Sequence, residues 1–244
     1  MTNALNCPEP ATTVGIIYPG HAAEDDYATA ADKLNVRLPV VHIYGTDLHA
    51  VPELLDLGRP DRLAEAATRL AEHRPQAVMW ACTSGSFVYG LEGAEQQAQQ
   101  LASEAGVPAA STSQAFKAAL EALEVKNVAV AASYPEPVAT LFAEYLAAAD
   151  VEITGISSAG IDTAAEVGGL GSDQVLDLVL RHNDPAADAL LIPDTAMRTI
   201  ELLPQLEAHA GKPVLTANQV TIWHGLRLSG APTSNDQLGA LFAM

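Results

Sequence analysis

Only two cysteines, Cys7 and Cys82, occur in the 244 residues. That number excludes a disulfide framework, and with no Cys-x-x-Cys pair the chain lacks the usual signature of zinc-ribbon or thioredoxin-like chemistry. Basic residues are also scarce. Lys and Arg together number 12 against 30 Asp and Glu, a formal charge of -18. Such a field repels phosphate backbones, so no nucleic-acid partner is expected. No apolar run reaches the roughly 18 residues needed to span a bilayer, so no membrane partner is expected. The first residues carry neither the basic nor the apolar region of a secretory signal, and a cytoplasmic location is the expectation. The 7 histidines show neither HxxxH nor HExxH spacing, so no metal site is expected.

What the chain does have is apolar bulk: 49% hydrophobic residues and 17% charged, enough for a sizeable core. Short apolar runs read as strands over Val14–Tyr18, Val36–Ile43, Ala77–Ala81, Val128–Ala132, Val151–Ile156, Ala189–Ile192 and Pro213–Leu215. Most lack period-2 alternation, as strands covered on both faces do. Helical patterns fill the gaps, over Pro60–His73, Leu91–Ala105, Ser113–Leu123, Pro135–Ala149, Ser172–His182 and Ala196–Ala210. This alternation predicts an α/β fold with mostly parallel sheets.

The sequence also repeats itself weakly. Gln76–Thr83 resembles Asp188–Thr195, Gly106–Gln114 resembles Gly211–Gln219, and Val14–Pro19 resembles Val128–Pro135, at a nearly constant offset. Two pseudo-symmetric halves are therefore expected. The first covers residues 1–120, completed by 220–244, and the second covers 121–219. Ligands of open parallel sheets sit beyond the carboxyl ends of the strands. Two such halves facing each other would bring Tyr18-Pro19, Cys82-Thr83-Ser84, Tyr134 and Asp194-Thr195 to one cleft.

Cys82 is followed by Thr83, Ser84, Gly85 and Ser86, which suit a tight turn and a helix N-terminus. A thiol at that place is expected to have a lowered pKa and to be nucleophilic; the alternative is a small buried thiol capped by polar turn residues. Asp194 reads either as a helix cap or as a general acid or base. Tyr134 reads either as a half-buried ring or as a donor to a carboxylate. Glu24–Tyr27 caps a helix or lies on a mobile loop near the site. Gly168–Gly171 lacks the strand–loop–helix context of a phosphate loop and reads as a flexible turn.

From Val14 to about Gly230 the chain resembles the aspartate/glutamate racemase superfamily, in the branch holding maleate cis–trans isomerase and arylmalonate decarboxylase. Cys82–Phe87 and Val128–Tyr134 carry the likeness, with Ile156–Gly160 and Ala189–Asp194 following in order. The resemblance implies two α/β halves with an interdomain site, no cofactor, a small carboxylate as substrate, and a homodimer. It implies that Thr83, Ser84 and Tyr134, with Thr195 beside them, bind a carboxylate and its enediolate. Cys82 matches the first catalytic position, which the resemblance gives as Cys in the isomerases and racemases but Gly in the decarboxylases, and Pro19, next to Tyr18, matches a pocket-lining proline. Asp194 stands where the family usually has a second cysteine, which argues against two-thiol racemisation and removes the usual proton donor of the decarboxylases.

Three functions follow. The first is cis–trans isomerisation of a maleate-like diacid by Cys82 addition. The second is decarboxylation of a substituted malonate with Cys82 or Asp194 as proton donor. The third is carboxylate binding without catalysis.

Overall fold

The computed structural model describes residues 12–244, so Cys7 lies outside the described residues. In chain order the first part holds β1 (Val14–Pro19), α1 (Asp25–Leu34), β2 (Val40–Ile43), α2 (Val51–Leu57), α3 (Pro60–Leu70), β3 (Ala77–Trp80), α4 (Ser84–Phe87), α5 (Gly90–Ala105), β4 (Ala109–Ser111) and α6 (Thr112–Ala122). The second part holds β5 (Asn127–Ala132), α7 (Glu136–Ala148), β6 (Glu152–Ser158), α8 (Ala164–Gly168), α9 (Ser172–Leu180), β7 (Ala189–Ile192), α10 (Leu203–Ala210), β8 (Val214–Thr216) and α11 (Ala217–Leu228). No helix among the described residues is long and apolar enough to cross a membrane.

The strands form two four-stranded sheets of the same topology, β2-β1-β3-β4 and β6-β5-β7-β8, and every pairing is parallel. The central strands β3 and β7 are buried along their whole length, which is why they read as unbroken apolar runs. The internal likeness of the sequence has a local cause. In the first half Ser111 Oγ accepts the Gln114 N–H and Gln114 Oε1 accepts the Ser111 N–H at 2.9 Å, a capping box that starts α6. At the matching place in the second half Gln219 Oε1 accepts the Thr216 N–H at 3.1 Å. The helices these turns launch, α6 and α11, pack on each other, with the hydroxyls of Thr112 and Thr221 2.6 Å apart. Helix α11 also lies on β3 and β4 of the first sheet.

One hydrophobic cluster runs through both halves, from Tyr18 and Phe87 to Phe142, Tyr134 and Trp223. The two sheets are therefore fixed against each other by a shared core. Burial on this scale contributes about 25 cal/mol per Å² of apolar surface.

Several elements differ from expectation. Strand β2 begins at Val40 and not Val36, because Pro39 has no N–H to give a ladder. Strand β4 escaped notice because it is only three residues of Ala, Ala and Ser. The helix expected from Ala196 begins at Leu203, where Pro204 occupies the first turn. Before it the chain makes a turn whose N–H groups bond to carboxylates: Ala196 to Asp194, and Thr199 and Ile200 to Asp26. Gly168–Gly171 is a helix junction rather than a loose turn. It passes so close to the first half that a Cβ on Gly168 would meet the Ala22 Cβ at 3.0 Å.

Glu24–Tyr27 starts a helix, as one of its two readings had it. Asp26 and Tyr27 are buried in the first turn of α1, where Asp26 bonds to Thr199, Ile200 and Asn218, and Tyr27 donates to Asn218. These bonds tie the two halves together. Burial nevertheless pushes the Asp26 carboxyl up to about 6, against the opposing effect of its three donors.

Candidate active site

The carboxyl ends of β1, β3 and β7 open onto one cavity of about 190 Å³ between the halves. Six of the eight residues singled out from the sequence line it: Tyr18, Pro19, Cys82, Ser84, Asp194 and Thr195. Cys82 follows β3 and Asp194 follows β7. These strands hold the same position in the two sheets, so thiol and carboxylate are related by the internal pseudo-symmetry.

Cys82 is held by the turn that follows it. The Gly85 N–H donates to Sγ at 3.2 Å, and the Ser84 hydroxyl lies 3.8 Å away. Gln97 and Trp80 in turn grip the Gly85 carbonyl, at 2.9 and 3.3 Å. The expected lowering of the thiol pKa is not found. Burial pushes it up to about 11, outweighing the bonds from Gly85 and Ser84, and the nearby charge of Asp194 adds to the rise. Helix α4 has only four residues, too few for an appreciable dipole.

Asp194 accepts the Ala196 N–H on Oδ1 at 2.9 Å and the Ser133 hydroxyl on Oδ2. It does cap the turn, as one reading of the sequence had it. It also faces His49, whose Nε2 is 3.9 Å from Oδ2. His49 is buried in the same cavity, with Nδ1 3.0 Å from the Ile161 carbonyl. A carbonyl only accepts, so Nδ1 carries a proton and Nε2 is the atom turned to Asp194.

Sequence reasoning missed His49. No strand end announces it. It reaches the site because residues 47–49 pair with 162–164 of the other half, through His49 N–H to Asp162 O at 2.8 Å and Ala164 N–H to Asp47 O at 2.9 Å. No local signal in Gly45–Pro52 marks it.

Thr83 and Tyr134 stand behind the cavity wall, not on it. The Tyr134 hydroxyl donates to the Pro193 carbonyl at 2.6 Å, which fixes the residue next to Asp194, and its ring meets the His49 ring edge-on at 4.9 Å. Burial, then the charges of Asp194 and Cys82, hold the phenol well above its ordinary pKa, so it is a hydrogen-bond donor and not a base. Thr83 has a fully buried hydroxyl beside Cys82, close to the Tyr134 phenol. Tyr18 donates to the Thr195 carbonyl at 2.9 Å and accepts from the Ala23 N–H at 3.0 Å, so its hydroxyl braces the wall across the two halves.

The family model described as arylmalonate decarboxylase matches residues 58–242. The chain belongs to the arylmalonate decarboxylase family. It is 27% identical to the arylmalonate decarboxylase of Bordetella bronchiseptica over 172 residues, covering 70% of this chain and 72% of that protein. It is 24% identical to the maleate isomerase of Alcaligenes faecalis over 214 residues, covering 85% of this chain and 81% of that one. Its fold is that of the Nocardia farcinica maleate cis–trans isomerase, solved as a mutant with a covalently bound succinylcysteine intermediate. There the TM-score is 0.85 at 19% identity, over 95% of this chain and 98% of that one. With maleate isomerases among its relatives, the chain belongs to an enzyme branch that holds both arylmalonate decarboxylases and maleate isomerases.

Proposed function

We propose that this protein decarboxylates a substituted malonate, with Cys82 as the proton donor. The observation that carries the reading is a buried thiol, held protonated by its surroundings, in a cavity lined by both polar and apolar side chains. Ser84 and Thr83 offer hydroxyls beside that thiol, while Leu48, Leu54 and Ala164 supply the apolar wall.

In this reading the retained carboxylate lies against Ser84, with Thr83 behind it. The other carboxylate lies against the apolar wall, where it is poorly solvated and its loss as neutral carbon dioxide is favoured. The carbon–carbon bond breaks and its electron pair moves onto the retained carboxylate as an enediolate. Each oriented hydroxyl or amide donor lowers that barrier by about 3–4 kcal/mol on the usual mutational scale. The Cys82 S–H then gives its proton to the α-carbon. The thiolate left behind recovers a proton through Asp194 and His49, which line the same cavity.

A second reading, cis–trans isomerisation of a maleate-like diacid, is favoured by the likeness to maleate isomerases. In that reaction Cys82 adds to the alkene as a thiolate, so a thiol with a pKa of about 11 must first lose its proton to Asp194.

Proton NMR in deuterated buffer separates the two. Methylmalonate or phenylmalonate is expected to give the monoacid with one solvent deuterium at the α-carbon, and Cys82→Ala is expected to abolish this. Fumarate formed from maleate, with both malonates untouched, would sink the decarboxylase reading in favour of the isomerase.

A further inference from the structure

The cavity lining contains no Lys or Arg among the described residues, in a chain of formal charge -18. An anionic substrate therefore meets repulsion on approach and no cationic side chain on arrival. At the rim of the cavity the structure assembles a group that spacing rules alone exclude. His21 and Glu24 come from the turn between β1 and α1, and His42 comes from β2. One potential ligand atom from each lies within 4.8 Å of the others.

The group is preorganised. Glu24 Oε2 accepts the Ala22 N–H at 2.8 Å, which turns Oε1 toward both imidazoles. Oε1 is 2.7 Å from His21 Nδ1 and 3.5 Å from His42 Nε2. A tetrahedral ion with ligands at about 2.0–2.1 Å needs its ligand atoms about 3.3 Å apart, and the two distances bracket that value. The imidazole ring centroids lie 4.0 Å apart. His21 Nε2 is 3.4 Å from the Tyr44 hydroxyl, the kind of outer contact that fixes the tautomer of a ligating histidine. The His42 Nε2 atom is buried with no hydrogen-bond partner.

We propose that His21, Glu24 and His42 form a three-ligand site for a divalent ion of the zinc class at the rim of the cavity. The ion takes the place of the proton that His21 Nδ1 now shares with Glu24. Two neutral imidazoles and one carboxylate leave a net positive charge at the mouth, and a fourth position stays open. Since His21 and Tyr44 both line the cavity, that charge stands on the path of the substrate. Its role there, attraction of the anion, rests on the carboxylate reading above; the binding site itself does not.

The test is calorimetric titration of the chelator-treated full chain with zinc chloride. One site of micromolar Kd or tighter is expected. His42→Ala and the milder Glu24→Gln should each weaken it at least 30-fold, and Cys82→Ser and Cys7→Ser should leave it unchanged. Cobalt(II) in place of zinc should give visible bands without thiolate charge transfer. Absence of saturable binding, equal binding by His42→Ala and Glu24→Gln, or loss of binding in a cysteine variant would overturn the site. In the turnover assay, chelation should raise KM for the malonate about 10-fold with kcat little changed, in the wild type and not in His42→Ala. An unchanged KM with zinc bound would overturn the attracting role. A chain that binds zinc but turns over no malonate would refute the decarboxylase reading and leave the site standing.

Discussion

His49 Nε2 stands 3.9 Å from Asp194 Oδ2, although the two residues belong to different halves of the protein. The contact crosses the cleft, and both side chains line the cavity that holds Cys82. At the position pseudo-symmetric to Cys82 this chain has a carboxylate backed by an imidazole. Asp194→Asn and His49→Gln should each lower kcat by about 100-fold, within the usual range for loss of a positioned acid or base. The double variant should be no worse than the worse single one, because the two act on one proton. Steady-state kinetics on the three variants check this; additive losses would show that the residues act separately.

Cys82 should be a slow nucleophile in the free protein. Its pKa of about 11 against an ordinary 9.0 leaves about 100-fold less thiolate at pH 8. Alkylation by iodoacetamide should therefore be about 100-fold slower than for an exposed cysteine and should still be rising at pH 10. The rate is measured by mass spectrometry of the Cys82 peptide. A plateau near pH 8 would contradict the burial argument.

Gly85→Ala should damage the thiol turn. The new methyl would lie 3.1 Å from Cys82 Sγ and 3.0 Å from the Trp80 ring, both inside the packed interior. Overpacking of this kind costs about 1–3 kcal/mol. A lower midpoint in urea unfolding, together with a larger loss of kcat than of KM, is expected.

Asp26 should make stability depend on pH in an unusual direction. Its folded pKa, about 6, lies above the ordinary 3.8, so the folded chain binds the proton more tightly than the unfolded chain. This contribution is fully present below about pH 4 and is lost as pH rises through 6. The whole swing is at most about 3 kcal/mol. Asp26→Asn should flatten the slope between pH 4 and 6 in urea titrations at several pH values. An unchanged slope would place its origin in another group.

The α/β class, the duplication and the strand ends carrying Cys82 and Asp194 were legible in the sequence. Continuous apolar runs, repeated capping boxes and small polar residues after a strand are local signals with local causes. Helices α2, α8 and α11 were not legible, and of α1 only the start at Glu24–Tyr27 was read, as one of two alternatives. Asp26 and Tyr27 in α1 are buried against Thr199, Ile200 and Asn218, so the buried face of that helix carries polar groups whose partners lie far away in sequence. Helix α11 is buried on nearly every side between α6 and the first sheet, which also erases a stripe.

Chain order alone therefore determined that a thiol and a carboxylate end equivalent strands of two parallel sheets, since the pattern of burial along a strand is written in its own residues. Tertiary structure decided what those groups are chemically. The depth of burial sent the Cys82 pKa up where the turn by itself suggested down. Contacts between distant segments brought His49 to Asp194, moved Tyr134 behind the wall, and gathered His21, Glu24 and His42 at its rim. Proton affinity depends on solvent exclusion and on charges a few ångströms away through space, and neither is a property of neighbouring residues in sequence.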